Sequence, residues 1–110
     1  MVAPNRGWSS IVNHVDNLTQ THKAAALLTR HYVQKITVQN KHATVATTVS
    51  IRNGTVVLFT INCPAVQTTP VVIDFAAMPL ATDINAAVTV ICGTTGADVL
   101  VNLQGFSGGQ

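Results

Sequence analysis

The stretch from Val33 to Cys63 leaves the chain little choice of secondary structure. Ile36 and Val38 alternate with Lys35, Thr37 and Gln39, and Asn40-Lys41 then supplies a turn. Val45, Thr47, Val49 and Ile51 fall on one face of a second run, with Thr48, Ser50 and Arg52 on the other. A period of two is the signature of a half-buried β-strand, and no helix can place such a pattern on one face. Asn53-Gly54 follows, ahead of the returning run Thr55 to Cys63. An Asn-Gly pair between alternating runs predicts a hairpin, because a type I′ turn needs positive φ at both central positions. The returning run is almost continuously apolar, which predicts burial on both faces.

The second half repeats the grammar. Pro64 ends the third strand, since proline cannot donate to a ladder. Val71 to Phe75 predicts a fourth strand, and Met78-Pro79 opens a loop running to Asn85. Ala87 to Cys92 predicts a fifth, and Thr94 to Ala97 a tight connection to a sixth at Val99 to Leu103. The glycine-rich tail from Gly105 reads as flexible, with Phe106 as its anchor. About six short strands broken by frequent turns predict a mainly β chain, a small antiparallel sandwich or barrel.

The first third reads differently. Residues 1–8 predict an irregular arm, punctuated by Pro4 and Gly7 and carrying Trp8. From Ser9 or Ser10 as N-cap, Ile11, Val15, Leu18, His22, Ala25, Thr29 and Tyr32 are spaced four and three apart. That spacing predicts a helix with a coiled-coil seam, broken near Asn17 to Thr21 and resuming at His22 to Leu28. The division that follows is an arm and helical stem over residues 1–33 and a β head over residues 34–110. Trp8, Ile11, Val15, Leu18, His22, Ala25 and Tyr32 are the candidate oligomer-interface residues.

Composition supports association. Charged residues make up 9% of the chain and hydrophobic ones 47%, against a usual charged share of about a quarter. A surface so poor in charge is expected to be covered by copies of itself or to present a neutral polar face. All six basic residues precede Asn53, and Asp74, Asp83 and Asp98 all follow it. No cluster of basic residues forms, and aromatic residues are too few for a stacking platform, so nucleic acid is not an expected partner. No apolar run is long enough to span a bilayer, and no secretory signal is read. Asn17-Leu18-Thr19 and Asn53-Gly54-Thr55 match the glycosylation pattern, which carries no meaning without that route.

Catalytic constellations are missing. The chain has four Asp and no Glu, dispersed rather than paired, and lacks a nucleophile elbow, a phosphate loop or a dinucleotide fingerprint. Neither Cys63 nor Cys92 is marked as reactive, and both are expected to be buried thiols. His22, on the seam, could meet its copies on a three-fold axis and share a metal ion, although a polar seam position setting register, or a surface imidazole, is the preferred reading. The expectation is a non-enzymatic protein with no cofactor and no metal.

Val49 to Val57, with its Arg52-Asn53-Gly54 turn before a Val-rich strand, resembles the hairpin of C-terminal head domains in phage tail-fibre and baseplate proteins. Ala77-Met78-Pro79-Leu80 and the glycine-centred turn at Gly93 to Val99 extend the resemblance over about half the chain. The aromatic and Arg residues that commonly follow the Pro in that family are missing here. The resemblance implies a virion protein, a homotrimer on a short stem, binding a host-surface saccharide and other virion proteins. The alternatives are a capsid decoration or cement protein and a cellular β-sandwich interaction module.

Overall fold

The computed structural model describes residues 6–75 and 77–109. Nine strands follow one another: β1 (Arg6–Val15), β2 (Gln20–Lys23), β3 (Thr29–Asn40), β4 (Thr47–Asn53), β5 (Val56–Cys63), β6 (Val71–Asp74), β7 (Leu80–Ala81), β8 (Val88–Cys92) and β9 (Asp98–Gly109). They form two antiparallel sheets. One runs β1-β9-β3-β6, with the short β7 following β6 along the same edge of β3, and the other runs β2-β8-β4-β5. Only β4 and β5 are both consecutive and paired among the described residues; the other neighbours interleave early and late strands. Eight principal strands in two interleaved four-stranded layers make a double-sheet jelly roll.

The six strands predicted from periodicity are present as β3, β4, β5, β6, β8 and β9. The helix is not. Residues 9–32 form β1, a turn, β2, an exposed loop and the start of β3, and the described residues contain no helix. Ile11 and Val15 are four apart, so they share a strand face as readily as a helix face, and here that face is solvent. The inward face of β1 is carried by Trp8, Ser10, Val12 and His14. Two of those four are polar, which hid the period of two. Ala24 to Leu28, the most helix-like stretch by composition, is the crossover between β2 and β3, with Leu28 at φ 54°. β3 runs through positions 33 and 34 without a break.

Three further expectations are corrected. The tail is not free, because β9 continues to Gly109 between β1 and β3; Gln110 lies outside the described residues. Of the predicted arm, residues 1–5 lie outside them too, while Arg6 to Trp8 begin β1. The β4–β5 turn also differs in register. Asn53 pairs with Val56, so the central residues are Gly54 and Thr55, and only Gly54 has positive φ (59°). That is the pattern of a type II′ turn with glycine first, and Asn53 stays in the strand.

The core lies between the layers. Val33, Ile36, Val38, Val99, Val101 and Leu103 of one sheet face Val49, Ile51, Ile61, Val88, Val90 and Cys92 of the other. Inward positions on β3 change parity, from His31 and Val33 to Ile36, Val38 and Asn40. A bulge between Val33 and Lys35 produces the change. Opposite it sits Gly105, where an added Cβ would run into the Tyr32 carbonyl and come within 2.9 Å of the Trp8 ring. Glycine there lets β1, β9 and β3 close beneath the indole.

Candidate functional site

A sandwich has two open rims, and in this one each holds a pair of rings. At the rim where β1 meets β2, His14 and His22 stack with centroids 5.2 Å apart and planes 10° from parallel. Their Nε2 atoms lie 2.9 Å apart, both side chains are buried, and neither Nδ1 makes a hydrogen bond of good geometry. One ring therefore donates and the other accepts, which in a neutral pair requires opposite tautomers. Burial pushes the His14 pKa down. It pushes His22 down to about 4, helped by the neighbouring His14 and opposed by the Ser10 main chain. At the opposite rim Phe59 of β5 meets Phe75, just past β6, edge to face at 5.0 Å.

These rims expose four strand edges, and the sequence treats them unequally. β2 is four residues long, carries Lys23 and is bulged. β6 is four residues long, follows Pro70 and ends in Asp74. Short length, charge, proline and bulges are the usual guards against edge-to-edge pairing. β1 spans ten residues whose only charge is Arg6, and it pairs with β9 alone. β5 spans eight residues without a charge or proline, is bulged once at Leu58, and pairs with β4 alone. Ile11 and Val15 on β1 are 66% and 53% exposed, and Val56 and Val57 on β5 are 61% and 54% exposed. The expectation that Thr55 to Cys63 is covered on both faces is thereby corrected: β5 is an edge.

The candidate interface residues scatter in this fold. Ile11 and Val15 project outward from β1, Leu18 is exposed in the following turn, and Ala25 is exposed in the β2–β3 crossover. Trp8 is partly buried, packs on the core and meets His31 edge to face at 6.3 Å. Tyr32 stacks on Phe106 at 4.6 Å, which ties β3 to β9. His22 is buried against His14 of its own chain. The lack of charge on β5 was visible in the sequence, but its place at an edge was not. The edge of β1 was masked by its helix-like spacing.

Cys63 and Cys92 are free and buried, on strands flanking β4 opposite Thr47 and Val49. Burial raises the pKa of Cys63, and that of Cys92 to about 11 with Cys63 adding to it. Thiolates are therefore scarce at neutral pH. A shallow groove of about 450 Å³ lies at Cys63, lined also by Thr47, Thr48, Asn62, Pro64 and Thr94 among others. No lining residue is charged or aromatic. No group of three or more His, Cys, Asp or Glu able to hold a metal occurs among the described residues.

No family model matches the sequence, and no curated protein matches it. Solved structures do. The chain is similar to one from the acid-stable capsid of Helicobacter pylori bacteriophage KHP30, with TM-score 0.58 and 12% identity over 96% of this chain and 93% of that one. It is also similar to a chain from the Bacillus endospore appendages, a family of disulfide-linked pili, with TM-score 0.57 and 11% identity over 98% and 88% of the two chains. At that identity the likeness is one of fold: nearly the whole sandwich is shared with a capsid protein and a pilus protein.

Proposed function

We propose that this chain is a non-enzymatic, self-assembling structural subunit of a virion, built into or onto the shell. The observation that carries the reading is the pair of long strand edges, on β1 and β5, whose ten and eight residues carry one charge, Arg6, and one bulge, at Leu58. A protein that works alone is expected to blunt such edges, as this one does on β2 and β6. The similarity in fold to a phage capsid chain, end to end, supports a place in a shell. The similarity to a pilus chain supports repeated self-association of the same kind of sandwich.

The shell reading is preferred to a saccharide-binding fibre head for two reasons. The stem that motivated a trimeric fibre is a pair of strands and a loop. The one groove described has neither an aromatic platform nor charged residues, whereas small-molecule sites are lined largely by apolar and aromatic side chains with a few convergent polar groups. Negative-stain electron microscopy of the purified protein over a concentration series tests the proposal. Regular sheets, rods or closed shells are expected, together with no selective binding on a glycan array. Particles that stay single and bind a defined glycan would replace it with the receptor-binding reading.

A further inference from the structure

We propose that copies of this chain join head to tail, the outer edge of β1 in one copy pairing with the outer edge of β5 in the next. The inference rests on the reading of the chain as a self-assembling subunit and names the surfaces that do it. Of the four edges, β2 and β6 are short and carry Lys23 or Asp74, while β1 and β5 offer ten and eight residues of ladder. Their outer main-chain groups have no ladder partner among the described residues, and satisfying them is the drive for strand addition.

Placement decides the mode. β1 belongs to one sheet and lies at the His14–His22 rim; β5 belongs to the other sheet and lies at the Phe59–Phe75 rim. A single kind of contact between β1 and β5 occupies both long edges of every copy. Two-fold pairing, β1 with β1 and β5 with β5, needs two separate self-complementary surfaces instead. A contact between different surfaces repeats in one direction and closes into a ring or runs on as a row. The sheet of β1 then continues into the β5 sheet of its neighbour. Ile11 and Val15, beside Val56 and Val57, supply apolar cover at the joint.

The test uses two variants of exposed positions: Ser9→Lys with Ile11→Lys on β1, and Val57→Lys with Asn62→Lys on β5. All four side chains are exposed, so each variant keeps the wild-type circular dichroism spectrum; Glu at the same positions gives a second set with the opposite charge. Sedimentation velocity reads the result. Each variant alone is expected to run as a single 11.6 kDa chain. Mixed together, the two are expected to form a one-to-one dimer and nothing larger, through the one intact β1 edge and the one intact β5 edge. Variants that are each dimeric alone would overturn head-to-tail pairing in favour of two-fold pairing. Variants that assemble like the wild type would overturn the choice of edges while leaving self-assembly standing. A wild-type chain that is itself monomeric would sink both.

Discussion

Glycines and buried polar side chains hold this fold at single positions. Gly105 is the tightest, set between the Tyr32 carbonyl and the Trp8 indole. Gly105→Ala is expected to destabilise the protein by about 2 kcal/mol, as overpacking of a close-packed site does. Urea denaturation reads it, and an unchanged midpoint would show that β1 and β3 do not close on this residue. Gly54 is a different case, because nothing lies within 4 Å of an added Cβ and the cost is conformational alone. With φ at 59°, Gly54→Val is expected to cost about 1–2 kcal/mol. An unshifted thermal midpoint would contradict the turn register found here. Asn40 is buried and ties three segments together: its Nδ2 donates to the carbonyls of Val45 (2.9 Å) and Pro64 (3.1 Å), and its Oδ1 accepts from the His42 amide (3.1 Å). Cys63 and Cys92 are expected to resist a thiol reagent until the chain unfolds, since burial raises both pKa values. Rapid labelling of the native protein would contradict their placement.

Among elements, β1 and β2 carry the largest difference between what the sequence signals and what forms. Strands with apolar inward faces were legible: β4 presents Val49 and Ile51, and β9 presents Val99, Val101 and Leu103. β1 was not, because Ser10 and His14 sit at its inward positions and the outward Ile11 and Val15 imitate a helical stripe. The parity change at the β3 bulge is equally silent, since Gln34 is no less at home in a regular strand. The candidate site was half legible: an eight-residue run without charge marks β5, but only the sheet order shows it to be an edge. The His14–His22 pair gives the β1–β2 rim a dependence on pH. Both folded pKa values lie below the ordinary 6.5, so on acidification the unfolded chain takes up protons that the folded chain refuses. Their contribution is whole above about pH 6.5 and falls as the pH drops towards the folded value of His22, about 4. For His22 the loss over that window is about 3 kcal/mol. The urea midpoint is expected to fall between pH 7 and pH 5, with the His22 imidazole still neutral by NMR at pH 5. A flat midpoint, or an imidazole that titrates near 6.5, would contradict the buried pair.

At the scale of the whole molecule, a jelly roll 51 × 23 × 18 Å across is made from a chain with 9% charged residues. One basic residue of the first half meets an acid of the second at the surface, where Lys41 lies 3.7 Å from Asp98. The surface also exposes large apolar side chains, including Leu27 at 83% and Met78 at 82%, besides the two long edges. Such a surface favours association, and the edges give it direction. Sedimentation equilibrium of the purified wild-type chain bears on this most directly. The expected result is a weight-average mass that exceeds 11.6 kDa and rises with concentration. A chain that stays at 11.6 kDa at every concentration reached would contradict a self-assembling subunit.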